Sequence, residues 1–435
     1  MIDFINIIYL NEIQVILVLL LCVAIIWFNR LEYALAIYVS TPLWTRSIQI
    51  GAVAHTWVFL AVMLCSAIMY SVRRKKPLLY PIFDGWIVLW FSIWYFWMLI
   101  LVLLSFPSEE DHLLRFLILY LLIPLPFFYL IAQDVEKIKG FAVAFIATTV
   151  VGGILAINII NLSFLQIISD PTLLSFGILR LNIINYHWFS YDFAISLILI
   201  IALFRIYSNI ALRLIFSVLA VYCIYFLLLL GSRQAMAGSA ITMLLFLLIM
   251  AIRSRKNTFG VLVLVISLIA LGAAIYMYAP ELVLRSYETD ISQSFDLEAR
   301  RGEYWQMGWD IFLASPIWGS GFRQFIAHNL FIGTLAEQGL VGLIFLFGFF
   351  FFCFKQIIPI FSAPITDERT IWGITFSCII IFGVIHSQVS GSVVSVWHFY
   401  WSSVIIWILR TSIFDFAHVS RGLIDDSIHD YVTAQ

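Results

Sequence analysis

Charged side chains are scarce in this chain. Only 11% of its 435 residues are Asp, Glu, Lys or Arg, whereas 63% are hydrophobic. Soluble globular domains carry about 25% charged residues, so this composition excludes an ordinary soluble protein. Apolar stretches recur at about the length of 20 residues that a helix needs to cross a bilayer. The sequence therefore predicts one polytopic membrane domain over residues 1–435.

Cysteine is also rare, and the opening residues have few of the features expected of a cleavable leader. The five cysteines lie inside apolar runs, and none has the spacing of a disulfide pair or a zinc site. The opening residues, MIDFINIIYLNEIQ, lack the basic start and the small-residue cleavage site of a signal peptide. We therefore expect no disulfide framework and no zinc centre, and we expect the first span to remain as an anchor.

The apolar runs predict a bundle of about twelve or thirteen transmembrane helices, the second run being short for a span. No tandem repeat or low-complexity linker separates them. The predicted spans are Ile13–Phe28, Tyr33–Trp44, Val53–Tyr70, Trp86–Ser105, Phe116–Ala132, Phe141–Ile160, Phe193–Phe204, Ile215–Leu230, Ala235–Ile252, Val261–Tyr278, Leu340–Phe354, Ile371–His386 and Val394–Leu409.

Lysine and arginine are divided unequally between the two predicted sides of the membrane. Short cytoplasmic loops retain basic residues, and the loops with Arg73–Lys76, Lys137, Arg253–Lys256 and Lys355 alternate onto one face, which we assign to the cytoplasm. All six lysines lie on that face. Because guanidinium binds phosphate through paired hydrogen bonds, the arginines on the opposite, outer side predict an anionic ligand there. The alternative is that they are surface residues that bind no ligand. The outer arginines are Arg46, Arg115, Arg180, Arg233, Arg285, Arg300, Arg301 and Arg323.

The longest polar segment is the outer connection 280–339, which is too long for a simple turn. Glu298–Ala314 repeat in helical register, which predicts an amphipathic helix at the membrane surface that ends at Ser315-Pro316. A turn at Gly319-Ser320-Gly321 and a helix that carries His328 are expected to follow. We expect this segment to form a small helical cap over an outward-facing cavity. One side of the amphipathic helix carries Arg301, Trp305, Trp309 and Phe312.

Three places in the outer segments carry side chains suited to chemistry. Arg233 stands at a tight turn beside small residues that permit close helix packing, which favours a packed site over a snorkelling arginine. Arg301 precedes Trp305 by one helical turn, so both can face a ligand or form only a surface cation–π pair. His328 lies beside Asn329 in an apolar stretch and can accept a proton from a hydroxyl nucleophile, although a core histidine is the alternative.

These residues recur in a pattern that resembles a known signature. Arg301-x3-Trp305, Pro316-x2-Gly319-x-Gly321 and His328-Asn329-x9-Gly339-x2-Gly342 resemble the O-antigen ligase and O-antigen polymerase superfamily. The turn Gly231-Ser232-Arg233 resembles its first arginine motif, and Arg180 before Asn182 and His187 resembles a weaker one. The chain departs from the family where related sequences have a Gly-rich turn, since it has Tyr186-His187-Trp188 there.

The resemblance implies a GT-C-like, all-α integral membrane fold in the bacterial inner membrane, with the active site facing the periplasm on the large loop 280–339. It implies a glycosyltransferase of lipopolysaccharide biosynthesis that moves a glycan from undecaprenyl pyrophosphate to a lipid A-core or glycan acceptor. Membrane lipids are the other expected partners, and no cofactor, metal or nucleic acid is implied.

By the same resemblance, Arg233 and Arg301 hold the pyrophosphate, and His328 activates the acceptor hydroxyl. These three are the predicted catalytic residues. Displacing pyrophosphate from a sugar carbon requires stabilised leaving-group charge and deprotonation of the attacking oxygen, which agrees with these roles. The predicted substrate-binding residues are Arg180, Arg300, Asn329, Trp305 and Arg323.

Two other functions stay open, and so does the choice between a ligase and a polymerase within the superfamily. A metal-dependent oligosaccharyltransferase would need a carboxylate set, and Glu109-Glu110-Asp111-His112, a short acidic turn without Asp-x-Asp spacing, is the outer cluster that comes nearest. A lipid-linked oligosaccharide flippase would show repeats and ionisable residues at mid-membrane. Within the superfamily, the His-Asn-x9-Gly-x2-Gly spacing favours a ligase over a polymerase.

Overall fold

A computed structural model describes residues 8–9, 12–40, 48–50, 53–74, 86–104, 117–159, 186–230, 232–253, 302–321, 329–365, 367–390 and 398–414. Thirteen α-helices lie within these ranges. They are α1 Glu12–Trp27, α2 Leu31–Ser40, α3 His55–Arg74, α4 Trp86–Leu104, α5 Leu125–Ala132, α6 Val135–Ile159, α7 Tyr186–Ile206, α8 Ile210–Leu230, α9 Arg233–Arg253, α10 302–314, α11 Leu330–Ser362, α12 Glu368–Ser390 and α13 398–414.

Helices dominate the described residues, and β-structure is limited to three very short strands. Strands β1 Ile8–Tyr9, β2 Ile48–Ile50 and β3 Val53–Ala54 form a sheet in the order β1-β2-β3, with β1 parallel and β3 antiparallel to β2. Six of the described helices, α6, α7, α8, α9, α11 and α12, are long and apolar enough to cross a membrane. The predicted all-α integral membrane bundle is confirmed.

Helices α7 and α12 occupy the centre of the described bundle, while α8 lies at its surface. On α8 the exposed residues Ile210, Leu214, Val218 and Val221 recur at helical spacing, as expected of a helix that presents one apolar side to lipid. Aromatic rings fill the core between the helices. Phe128 of α5, for example, stacks on Trp401 of α13 with ring centroids 4.8 Å apart.

Ionic side chains gather at one end of the bundle, which we call the charged end. They link helices that are far apart in sequence, so they fix which helix ends lie together. Its contacts are Lys137 Nζ to Glu32 Oε2 at 3.6 Å, Lys139 Nζ to Glu368 Oε2 at 2.5 Å, Arg253 Nε to the carbonyl oxygen of Phe361 at 3.0 Å, and Arg73 to the carbonyl oxygen of Trp27 at 3.0 Å. The described parts of the basic loops thus share one end, as the sequence predicts.

The opposite end, which we call the motif end, holds the starts of α9 and α11. Along α11, Leu340 and Phe361 are about 32 Å apart at 1.5 Å per residue, close to the thickness of a bilayer core of about 30 Å. The backbone N–H of Leu340 donates to the carbonyl oxygen of Pro316 at 2.9 Å. The described part of the predicted cap therefore lies at the end opposite to Arg253.

Two predicted spans differ most from the helices that form. Phe116–Ala132 is divided into a π-helical segment, Leu117–Leu122, and α5, which begins after Pro124. Proline lacks an amide hydrogen and clashes with the preceding turn, so it interrupts the helix there. Helix α11 begins ten residues before the predicted Leu340, although its backbone is non-helical at Gly339. The predicted span Val261–Tyr278 lies outside the described residues.

Candidate active site at the motif end

The structure places some of the predicted site residues and leaves others outside its description. Trp305 and Asn329 are described, and Arg233 is described as the first residue of α9 without its side chain. The remaining five are Arg180, Arg300, Arg301, Arg323 and His328, which lie outside the described residues.

Helix α10 forms within the predicted Glu298–Ala314, but the side chains predicted to share one side are divided between buried and exposed positions. Gly308 and Phe312 are buried, whereas Trp305 and Trp309 are exposed, and the rings of Trp309 and Phe312 are 5.1 Å apart. The helix ends where the Ser315 N–H donates to the carbonyl oxygen of Ile311, just before Pro316. An exposed tryptophan pair on one side suits an aqueous or interfacial surface better than a helix core. Ligand binding by Trp305 stays a prediction.

The turn after α10 is locked directly onto the backbone of α11. The N–H groups of Ser320 and Gly321 donate to the carbonyl oxygens of Ala336 and Glu337 at 2.9 and 3.1 Å. In the other direction, the N–H of Leu340 donates to the carbonyl oxygen of Pro316. We call this two-way contact between residues 316–321 and 336–341 the backbone lock.

Two glycines make the backbone lock possible. A Cβ on Gly319 would lie 2.3 Å from the carbonyl carbon of Glu337, and a Cβ on Gly339 would lie 2.3 Å from the carbonyl oxygen of Ile317. Both residues also have positive φ, 76° and 64°, where side chains are strained. The glycines of the first motif segment and those of the second, although about 20 residues apart in sequence, thus lie on opposite sides of the same backbone contact.

Gln338 anchors the backbone lock to the bundle. Its side chain is fully buried, and its Oε1 accepts a hydrogen bond of 3.0 Å from the indole N–H of Trp94 on α4. Trp97, one helical turn further along α4, packs on Trp318 of the turn with ring centroids 5.5 Å apart. Helix α4 therefore supports both sides of the lock.

Asn329 begins α11 as its N-cap. Its Oδ1 accepts hydrogen bonds from the backbone N–H groups of Phe331 and Ile332 at 3.0 and 3.1 Å, and its Nδ2 donates to the carbonyl oxygen of Gln388 on α12 at 3.0 Å. Helix α11 thus starts at Leu330, directly after this cap. His328, which the sequence predicts on a helix, lies outside the described residues.

These contacts predict separable effects of two substitutions. Asn329→Asp keeps the capping oxygen and loses the donor to Gln388, whereas Asn329→Ala loses both. We expect Asn329→Ala to lower the free energy of unfolding by about 1–2 kcal/mol, and Asn329→Asp by less, because a lost N-cap costs that amount. Thermal unfolding of the purified variants in one detergent measures this order. Equal melting temperatures for Asn329→Ala and the parent would contradict the capping role.

The start of α9 is packed against α12. Ala235 is buried, and a Cβ on Gly238 would lie 3.1 Å from the ring of Phe382. The small residues next to Arg233 therefore let the two helices approach closely. This packing holds the end of α9 that carries Arg233 beside the end of α12 that contacts Asn329.

A buried acid–histidine pair at the motif end escaped the sequence analysis. Oδ1 of Asp192 on α7 lies 2.9 Å from Nε2 of His398 on α13, with the side chains 1% and 3% exposed. The ring of Tyr191 packs on His386 of α12 at 3.8 Å and on His398 at 6.0 Å between centroids. The sequence does contain a feature that could have identified this pair, because an ionisable residue within an apolar run is a candidate functional residue. We call Tyr191, Asp192, His386 and His398 the Asp192 cluster.

Among the described residues, no group of three His, Cys, Asp or Glu side chains has an arrangement that could hold a metal ion. The acidic turn at residues 109–112 lies outside that part of the chain.

Comparison with known families matches residues 218–347 to the family model described as O-antigen ligase. The match runs from α8 through α9, α10 and the backbone lock into α11, and so includes both motif segments. No curated protein matches the chain. The resemblance to the ligase and polymerase superfamily is confirmed by the family match.

Proposed function

We propose, from the match of residues 218–347 to the O-antigen ligase family model, that this multi-pass protein is an O-antigen ligase of lipopolysaccharide biosynthesis. It transfers a glycan from undecaprenyl pyrophosphate to a hydroxyl of lipid A-core at the periplasmic face of the bacterial inner membrane. The family indicates glycosyltransferase activity with a lipid-linked glycan and an acceptor. The choice of donor lipid, acceptor and membrane side is part of the proposal.

The reaction is a displacement at the anomeric carbon of the donor sugar. The acceptor oxygen forms a bond to this carbon, the bond to the pyrophosphate oxygen breaks, and undecaprenyl pyrophosphate leaves. Arg233 and Arg301 hold the negative charge that grows on the pyrophosphate, and His328 takes the hydroxyl proton. Arg180, Arg300, Arg323, Trp305 and Asn329 bind the remaining parts of the substrates.

The observation that carries this proposal is the convergence of the motif segments at one end of the bundle. The first residue of α9 is Arg233, and the first described residue after His328 is Asn329. Phe382 and Gln388 of α12 contact the helices that these two residues begin. Two motif segments about 100 residues apart in sequence are thus held on one short stretch of α12, as a shared site requires.

The charged end supports the proposed orientation. The described basic loop residues Arg73, Lys137 and Arg253 lie at the end opposite to the backbone lock. Retention of basic loops in the cytoplasm would place the motif end in the periplasm. Segment 280–339 is then the large periplasmic loop.

Transfer by the purified protein tests the reaction and its independence of metals. We expect glycan transfer from undecaprenyl pyrophosphate to lipid A-core to continue in EDTA, because arginines supply the positive charge that a cation would otherwise provide. Loss of transfer in EDTA that magnesium or manganese restores would contradict metal independence. Absence of transfer with lipid A-core as acceptor would contradict the ligase assignment.

Lipopolysaccharide from a deletion strain separates ligase from polymerase, the alternative that extends the lipid-linked repeat unit. Without a ligase, long glycan stays on undecaprenyl pyrophosphate and the core is bare. Without a polymerase, the core carries one repeat unit. We expect the first pattern, from the His-Asn-x9-Gly-x2-Gly spacing. Core that carries normal long chains would exclude both the ligase and the polymerase. Bare core with lipid-linked glycan retained on the cytoplasmic side would instead indicate the flippase.

A further inference from the structure

The Asp192 cluster joins three helices at the motif end. Asp192 lies about 9 Å along α7 from its first residue, at 1.5 Å per residue, and its partner His398 is the first described residue of α13. His386 stands near the end of α12 and shares the ring of Tyr191 with His398. The ends of α7, α12 and α13 are therefore fixed relative to one another by side chains from all three.

Stability alone gives a weak reason for this cluster. Ionisable groups within a membrane are expensive, and a buried acid–base pair often contributes no more stability than apolar residues of the same volume. Oδ2 of Asp192 is also buried, and among the described residues no hydrogen bond reaches it. An apolar contact would join the helices at lower cost, but it would not fix their relative rotation as a directional hydrogen bond does.

The cluster is linked to both motif segments by short routes. Phe382 lies 5.7 Å from Tyr191 and 5.8 Å from His386 between ring centroids, and it is the residue against which Gly238 of α9 packs. Two residues after His386, the carbonyl oxygen of Gln388 accepts the hydrogen bond from Asn329. A rotation of α12 about its axis would therefore displace the starts of α9 and α11 together.

We propose that Asp192 and His398 are positioning residues: their hydrogen bond holds Tyr191 against His386 and Phe382 of α12. This contact fixes the rotation of α12 and thereby holds the start of α9 and the cap of α11 at the separation that the transfer reaction needs. They act through Phe382 and Gln388 and do not touch the substrates. The expected loss of transfer rate rests on the proposed function. The expected change in the distance between α9 and α11 does not depend on that function.

The kinetic test compares full-length purified variants per folded molecule. We expect Asp192→Ala and His398→Ala to lower kcat on the order of a hundredfold, with little change in the KM for the donor lipid, since small misplacements of reacting groups cost about that much. Asp192→Asn retains a hydrogen bond to His398 and should recover most of the rate. Glu32→Ala at the charged end removes another buried acid contacting a base and should lower stability without changing kcat.

The geometric test needs no activity. Ala237 and Leu340 are exposed residues near the starts of α9 and of the membrane part of α11, and spin labels there report the separation after the exposed Cys65 is replaced by serine. We expect the distance distribution to shift or broaden in Asp192→Ala and to stay narrow in Glu32→Ala and Asp192→Asn.

Two results would overturn the inference. One is parental kcat and an unchanged distance distribution in Asp192→Ala. The other is an Asp192→Asn protein as inactive as Asp192→Ala with the parental distance, which would assign the carboxylate charge a direct part in the reaction. A parental protein that transfers no glycan would contradict the proposed function, and the distance measurement would still decide the inference.

Discussion

Replacing His328 by alanine is expected to lower glycan transfer on the order of a hundredfold or more, the scale of losing a general base, while donor-lipid binding stays nearly intact. The reason is the division of roles in the proposed reaction, in which His328 takes the acceptor proton and the arginines hold the pyrophosphate. Donor binding and single-turnover transfer measured separately on the purified variant would show whether only the second falls.

Arg233→Lys and Arg301→Lys complete that experiment. Lysine offers a point charge in place of two parallel donors, so both variants should lose donor binding and transfer substantially. Arg213→Lys serves as the matched control, since its Nε donates only to the backbone oxygen of Tyr207 near the start of α8. A His328→Ala protein with the parental rate would make this histidine structural. Loss of donor binding with an unchanged rate of the transfer step would instead assign His328 to pyrophosphate binding.

Gly319→Ala and Gly339→Ala are expected to cause the largest loss of stability. Each introduces a Cβ 2.3 Å from backbone atoms on the other side of the lock. Backbone atoms cannot move aside to relieve this clash as the end of a flexible side chain could. Together with the strain of a positive φ, this predicts a loss of about 3 kcal/mol or more in the free energy of unfolding. The measurement is chemical unfolding in detergent, with the yield of monodisperse protein as a second readout.

Gly302→Ala is the matched control for the glycine substitutions. Gly302 is the first residue of α10, and a Cβ there would meet nothing within 4 Å. We therefore expect Gly302→Ala to be neutral or slightly stabilising, because alanine restricts the unfolded chain. Parental stability of Gly319→Ala or Gly339→Ala would show that the backbone lock does not form as described.

Sequence reasoning succeeded where structure follows from neighbouring residues. Apolar length places α3, α4 and α9 within a few residues of their predicted bounds. Turn chemistry likewise places the end of α10 before Pro316 and the positive φ at Gly319 and Gly321. Bilayer thickness, helical register and the restrictions on proline and glycine are local constraints, so they can be read along the chain.

It failed where a role depends on a partner distant in sequence. The sequence resemblance predicts substrate binding by Asn329 and does not predict its role as the N-cap of α11, which depends on the N–H groups of α11 and the carbonyl oxygen of Gln388. The spacing of Gly319 and Gly339 is visible in the sequence, but their contact is between backbones and leaves no hydropathy pattern. Asp192 and His398 fall in two separate apolar runs, and nothing in either run identifies the other as its partner.

The same pair has a consequence for the order in which the protein is assembled. The residues of the backbone lock are about 20 positions apart, so this contact can close soon after its own segment has been synthesised. Asp192 and His398 are separated by 206 positions, and synthesis proceeds from the N-terminus. The ribosome must therefore have passed residue 398 before α13 can reach α7. Until then, Asp192 must remain in the membrane without the histidine that it meets in the finished protein, and a chain that stops before residue 398 never acquires that partner.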